Sequence, residues 1–377
     1  MDLSQGVLAG DRLTLARTLS QVENGTDEGK LALSELFSHT GKAHLVGVTG
    51  ASGTGKSSLV NQLARYYRNP VKGVSEPAKV ASISTKRASG PAKGASISTE
   101  RASGPSQGVE PRRVAIVAVD PTSPFTGGAI LGDRIRMRDL AGDSGVFIRS
   151  MATRGSLGGI ASATAAVVQV LDAAGYDLIL IETVGAGQSE VDIARLAHTT
   201  IVVEAPGLGD DIQAIKAGIL EIADVLVVNK ADLPGVENTE RALRGSLNLA
   251  HPLPHRFMHH GKLEVVSGQP MSPDASETIW VPPILRTVAL DGTGIPKLAD
   301  AIANHRAHLE ATGGWEQRER GRLQTELDLL LTNRLVESFR ARLPAGAYER
   351  VLVDMQERRI SPSQAVEKLV DGARDMK

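Results

Sequence analysis

Apolar residues recur along this chain with different rhythms, and each rhythm predicts a different kind of element. Over residues 11–22, Leu15, Leu19 and Val22 fall on one helical face, and Asn24-Gly25 follows as a stop, so a small helical preface is expected. From Ala43 onward, short β-branched runs alternate with helical stretches. The candidate strands are 45–49, 114–119, 178–181, 200–203, 225–228 and 284–289. Such alternation is the signature of an α/β fold with a doubly wound, mainly parallel sheet. After Thr312-Gly313-Gly314 the pattern turns wholly helical, with Leu323, Leu327, Leu331, Leu335, Phe339 and Leu343 recurring every four residues among Glu and Arg. That stripe needs a surface to pack against, and the charge flanking it favours a second copy of the chain over the body of the protein. Ser361-Pro362-Ser363-Gln364 has the form of a capping box with proline at the first helical position, so a final short helix is expected. The expected organisation is an N-terminal helical extension over 1–42, an α/β domain over 43–310 and a C-terminal helical arm over 311–377.

One tract fits none of these rhythms. Residues 78–91 align with 92–105, sharing Ala-Ser-Ile-Ser-Thr and Arg-Ala-Ser-Gly-Pro at a period of 14 residues. Two copies of a Ser/Gly/Ala/Pro-rich unit bury too little apolar surface to offset their ordering entropy, so a disordered surface insertion over about 70–111 is expected rather than a solenoid.

Composition narrows the classes. A chain of 377 residues with 41% hydrophobic content can furnish a sizeable buried core. Its 42 basic and 43 acidic residues give no whole-chain electrostatic reason for nucleic acid or an anionic membrane as partner. The lack of cysteine excludes disulfides and thiolate metal sites, and fits a reducing compartment. Met1-Asp2-Leu3-Ser4 has neither the basic nor the apolar region of a secretion signal, and no apolar run approaches the roughly 20 residues that span a bilayer. A cytoplasmic protein is expected.

The chemistry begins at Gly50-Ala51-Ser52-Gly53-Thr54-Gly55-Lys56-Ser57, directly after the strand 45–49 and directly before an apolar helix opening Ser58-Leu59-Val60. This is the phosphate-loop pattern in its proper context. Gly50, Gly53 and Gly55 let backbone N–H groups, with those of Thr54 and Ser58, curl around phosphates at a helix N-terminus. Lys56 reaches the β and γ phosphates and Ser57 offers a magnesium ligand. Kinases, ATPases and GTPases share that loop, so the base has to be read elsewhere. Asn229-Lys230-Ala231-Asp232 follows the strand 225–228 and has the form Asn-Lys-x-Asp. A carboxylate at Asp232 accepts from both the ring N–H and the exocyclic amine of guanine, a donor pair adenine lacks. Four such residues alone would suit any polar loop; behind a phosphate loop they point to guanine.

Acidic residues at strand ends supply a candidate metal set. Asp120 closes the strand 114–119 and Glu182 closes 178–181, at the carboxyl edge where ligands bind in such sheets. Ser57 and Asp133 join them. Gly185 is placed to give its N–H to the γ-phosphate. Each carboxylate taken singly also suits a helix cap or a surface charge. Gln188 and Arg154 are candidates for orienting the attacking water, although either also fits an ordinary surface loop. His251, His255, His259 and His260 lie close together, but Pro252, Pro254 and Gly261 deny them a fixed chelating face, and a solvated loop is expected there.

Further segments then carry a likeness: Ala118-Val119-Asp120-Pro121-Thr122-Ser123-Pro124, Phe147-Ile148-Arg149-Ser150-Met151-Ala152-Thr153-Arg154-Gly155, Glu182-Thr183-Val184-Gly185-Ala186-Gly187-Gln188-Ser189-Glu190 and Thr287-Val288-Ala289-Leu290. With Thr126-Gly127-Gly128 through Asp133-Arg134, Trp280-Val281-Pro282-Pro283 and the two nucleotide motifs, the chain resembles the methylmalonyl-CoA mutase-associated GTPases of MeaB type, also described as the ArgK family and related to metallochaperone P-loop GTPases. The likeness covers about residues 9–310, and the repetitive insertion departs from it. The resemblance implies magnesium-dependent hydrolysis of GTP to GDP by a chaperone of an adenosylcobalamin-dependent acyl-CoA mutase. It also implies gating of cofactor loading, protection of the loaded enzyme and a homodimer built by the C-terminal helices. Asp120, Asp133 and Glu182 would surround magnesium, Leu290 would join the guanine pocket, and 206–216 would be a mobile switch. Mutases acting on methylmalonyl, isobutyryl or ethylmalonyl chains are all compatible clients. Two rivals share the phosphate loop: a metal-delivery GTPase, and a small-molecule kinase, for which no acceptor-side general base stands out.

Overall fold

The computed structural model describes residues 2–69, 111–121, 137–140, 142–153, 159–183, 189–207, 220–250, 256–259, 262–265 and 279–374. The repeat at 78–105 lies outside them. Two compact units divide the chain at 319/320.

The first unit opens with three helices, α1 (Leu3–Leu8), α2 (Arg12–Glu23) and α3 (Asp27–Leu36), where the sequence pattern had suggested one. Asp11 caps α2 by accepting from the N–H groups of Leu13 and Thr14, and Asn24 with Gly25 ends it as expected. The sheet follows: β1 (His44–Thr49), β2 (Val114–Pro121), β3 (Val146–Thr153), β4 (Leu178–Thr183), β5 (Thr199–Glu204), β6 (Val225–Val228) and, after a small hairpin, β9 (Ile284–Arg286). Its spatial order is β3-β2-β4-β1-β5-β6-β9, with every neighbouring pair parallel. The hairpin pairs β7 (Arg256–His259) with β8 (Lys262–Val265). It occupies part of the stretch expected to be a solvated loop; of the four histidines there, only His259 lies among the described residues.

Helices α4 (Lys56–Arg68), α5 (Gly159–Ala173), α6 (Ser189–Leu196), α7 (Val236–Ala250) and α8 (Ile295–Thr312) cover the sheet. In β4 all six residues are buried. Leu178 and Leu180 join α4 and α8 on one face, whereas Ile179 and Ile181 join α5 and the N-terminal helices on the other. A strand covered on both faces reads as a continuous apolar run, which is why its sequence announced it.

Strand β3 is absent from the sequence-based expectation. It lies at the edge of the sheet, and Arg149 interrupts its apolar run. The arginine is used in the fold: it pairs with Glu23 and donates to Ser20 Oγ at 3.2 Å, tying α2 to the strand.

Helix α9 (Gly314–Arg342) crosses the boundary between the units; α10 (Ala347–Gln356) and α11 (Pro362–Arg374) belong to the second. The capping box forms as read: Ser361 N–H donates to Gln364 Oε1 at 2.9 Å, and Gln364 N–H donates to Ser361 Oγ at 3.3 Å. Asp354 on α10 accepts from Arg359 at 2.7 Å and from Lys368 on α11 at 2.8 Å. Among the described residues, no helix is long and apolar enough to cross a membrane.

Candidate nucleotide site

The chain runs from β1 to one side of the sheet through β2, β3 and β4, then to the other through β5 and β6, so β1 sits where the strand order reverses. Ligands of open α/β sheets bind at the carboxyl edge of such a point. There β1 ends at Thr49 and the loop 50–55 turns into α4. Gly50, Gly53 and Gly55 have φ of 137°, 83° and 91°, values that favour residues without a Cβ. Two of them also have no room for one. A Cβ on Gly50 would stand 2.1 Å from the Val203 carbonyl oxygen, and one on Gly55 would stand 2.5 Å from Asn229 Nδ2.

Lys56 opens α4 and is 6% exposed. Its Nζ donates to the carbonyls of Gly50 at 2.8 Å and Ala51 at 2.9 Å, so the ammonium sits inside the curl of the loop. Ser57, the next residue, donates its hydroxyl to Glu182 Oε1 at 2.5 Å. Register explains the meeting: Glu182 pairs with Val48 of β1 and with Ala118 of β2, placing its carboxylate beneath the first turn of α4. One step further, Thr183 donates to Thr49 at 3.0 Å and fastens the two strand ends together. A hydroxyl and a carboxylate converging in a buried pocket form a hard-oxygen donor pair, which fits magnesium. Asp120 follows Val119, the partner of Thr183, at the same edge; its side chain lies outside the described residues, as do Asp133, Arg154, Gly185, Gln188 and the 208–216 part of the expected switch.

Asn229 follows β6 and is 1% exposed. Its Nδ2 donates to the Thr54 carbonyl at 2.8 Å, and its Oδ1 accepts from Thr287 Oγ1 and from Ala289 N–H, both at 3.1 Å. Every hydrogen-bonding direction of that amide but one is spent on joining the phosphate loop to the chain after β9. Lys230 adopts φ of 56°, a left-handed turn that redirects the backbone so that Ala231 N–H reaches the Thr287 carbonyl at 3.0 Å. Ser58 continues the first turn of α4, half-buried beside Ser57. Asp232 and Leu290 remain exposed on the same side, Leu290 at 85%. The structure thus brings Gly50, Gly53, Thr54, Gly55, Lys56, Ser57 and Glu182 together, with Asn229 as the link to Lys230, Asp232 and Leu290. Sequence reasoning missed Thr287, Thr49 and Thr183, whose parts depend on partners 58, 134 and 134 residues away.

Among the described residues, no group of three or more His, Asp or Glu side chains forms a metal cage. A cavity of about 630 Å³ lies in the second unit between α10 and α11, remote in sequence from every nucleotide motif.

Comparison with known proteins places the chain in a family. The family model described as methylmalonyl Co-A mutase-associated GTPase MeaB matches residues 15–102 and 89–343. A putative GTPase of Pyrococcus abyssi is 37% identical over 369 residues, spanning 98% of this chain and 95% of that protein. The GTPase ArgK of Escherichia coli is 30% identical, over 82% of this chain and 76% of its own length. A solved structure described as a LAO/AO transport system kinase superposes with a TM-score of 0.60 at 22% identity, covering 98% of this chain and 95% of the other; at that identity it supports the fold.

Proposed function

The chain belongs to the methylmalonyl-CoA mutase-associated GTPase family and is a GTPase, and on that premise we propose that it is a cytoplasmic chaperone of an adenosylcobalamin-dependent acyl-CoA mutase. In this reading GTP hydrolysis gates cofactor loading and protects the loaded enzyme. The observation that carries the nucleotide half is the Asn229 bridge, which holds the phosphate loop and the Lys230 to Asp232 loop as one rigid site. The family's association with methylmalonyl-CoA mutase carries the partner half.

Each residue then has a task. Backbone N–H groups of 53–58 and Lys56 Nζ bind the β and γ phosphates, Lys56 exchanging the Gly50 and Ala51 carbonyls for phosphate oxygens. Asp232 accepts from guanine, with Leu290 against the base. Ser57 and Glu182, joined by Asp120 and Asp133, would hold magnesium, which supplies charge compensation on the transferring phosphoryl group. Arg154 or Gln188 orients the attacking water and Gly185 reports on the γ-phosphate. A homodimer is supported by Leu327, Leu331 and Leu335, 63%, 52% and 57% exposed along α9.

The test is GTP hydrolysis by the purified protein with magnesium, alone and with an acyl-CoA mutase from the same genome, with Lys56→Ala as control. Stimulation by the mutase that vanishes in the variant supports the proposal. Turnover that no mutase alters removes the partner half and leaves the GTPase.

A further inference from the structure

At the opposite edge of the sheet from the nucleotide site lies a buried cluster that GTP hydrolysis does not use. His44 opens β1 and bonds Thr199 Oγ1 at 2.8 Å; Thr199 opens β5 and bonds His305 Nδ1 on α8 at 2.9 Å; His305 Nε2 meets Asp224 Oδ1 at 3.2 Å. Asp224, just before β6, also accepts from Thr200 N–H at 2.8 Å and from both arms of Arg318 on α9, at 2.8 and 2.7 Å. Arg318 donates again to the His198 carbonyl at 2.7 Å. His198 Nδ1 accepts from Leu45 N–H at 3.1 Å while its Nε2 faces Glu319 Oε2 at 3.2 Å. Trp315 closes the top, stacked on His198 at 3.9 Å and edge-on to His44 at 5.6 Å. Trp280 closes the side, donating to the Asp224 carbonyl at 2.8 Å and standing 4.8 Å from His305 and 5.3 Å from His308.

We propose that the first two turns of α9 are held on the amino edge of the sheet by an acid-released latch, in which Trp315, Arg318 and Glu319 close over His44, His198, His305 and Asp224. At His198 and His44 the closed form resists added protons. His198 cannot take one at Nδ1 without losing the Leu45 N–H bond, and His44 sits among His198, His305, Arg306 and Arg112, all cationic or able to become so. Burial, and then those charges, hold the His44 imidazole well below its ordinary range. Among the described residues, Asp224 and Glu319 bring negative charge to the cluster, and Arg318 and His305 already occupy the first. Lifting Trp315 wets both rings it covers, and a wetted histidine takes up a proton near pH 6.5. Release is therefore coupled to proton uptake. Below about pH 6.5 the ratio of closed to open falls roughly tenfold per pH unit for each coupled histidine.

The chain's two tryptophans both lie in this cluster, so selectively excited tryptophan fluorescence reports on it alone. The experiment titrates the full-length protein from pH 8 to pH 5, following tryptophan emission and far-UV ellipticity together. The latch predicts a red shift in emission with its midpoint between pH 5 and 6.5 while ellipticity holds. The pair His44→Gln and His198→Asn keeps an amide where each imidazole bonds but cannot titrate, and it should move the midpoint down by half a unit or more. Trp280→Phe should keep the transition, because Trp315 is the residue that lifts. Emission that stays flat, that moves only with ellipticity, or whose midpoint is unchanged in the His44→Gln, His198→Asn protein overturns the proposal.

Discussion

Asn229→Ala separates two readings of the Asn-Lys-x-Asp loop. If Asn229 served only to read guanine, its removal would weaken GDP binding and leave phosphate binding alone. The structure assigns its amide three bonds, at 2.8, 3.1 and 3.1 Å, to groups that are themselves buried: the Thr54 carbonyl, the Thr287 hydroxyl and the Ala289 N–H. Each orphaned buried partner costs about 1–3 kcal/mol, so the variant should lose at least about 3 kcal/mol of stability. Freed from its tether, the carbonyl of Thr54 no longer holds the phosphate loop in register. Affinity for inorganic triphosphate should then fall along with affinity for GDP, each by about tenfold or more, tenfold being about 1.4 kcal/mol. Urea unfolding gives the first quantity and calorimetric titration with the two ligands gives the second. A stability loss under about 1 kcal/mol, or a GDP defect with unchanged triphosphate affinity, would refute the bridging role.

Three further outcomes follow from the same geometry. Gly55→Ala puts a Cβ at φ of 91° and 2.5 Å from Asn229 Nδ2; it should cost about 2 kcal/mol or more and abolish nucleotide binding, and a variant with wild-type GDP affinity would contradict this. Glu182→Gln keeps an acceptor for Ser57 Oγ but removes the charge, so the magnesium concentration for half-maximal GTP hydrolysis should rise about tenfold or more with the melting temperature little changed. Stability should fall as pH drops below about 6.5, because His44 is neutral when folded and charges when unfolded. A second fall belongs to Asp224. Burial raises its carboxyl, but the bonds from His305 and Arg318 outweigh burial and hold it below the usual carboxylate value of 3.8; its contribution is complete above that value and is lost as pH falls through the depressed one. Urea midpoints measured from pH 8 to pH 3 should show the first step and the onset of the second, which begins below pH 3.8.

What was legible in the sequence is what depends on neighbours in the chain. The loop 50–57 needs its own glycines, its own helix N-terminus and the strand before it, all contiguous. The Ser361 cap closes within four residues. Strands β4 and β6 were visible because burial on both faces leaves no polar interruption. Strand β3 was not, since an edge position lets Arg149 stand in the run to anchor Glu23 on α2. The task of Asn229 was half legible. Its motif pointed to guanine, but the bonds to Thr54 and Thr287 join residues 175 and 58 positions apart, a relation no local pattern encodes. The histidine cluster was invisible for the same reason, drawing its residues from near the starts of four strands and from two helices.

The most direct test of the nucleotide assignment is Asp232→Asn, assayed for hydrolysis of GTP and of xanthosine triphosphate. Xanthine carries an oxygen where guanine carries the exocyclic amine, so an amide that donates suits it and a carboxylate does not. The account predicts that the variant loses GTP turnover by about a hundredfold and gains xanthosine triphosphate turnover in its place, as buried hydrogen-bond mismatches of this kind discriminate strongly. Unchanged GTP turnover in Asp232→Asn, or equal use of ATP by the unmodified protein, would contradict it.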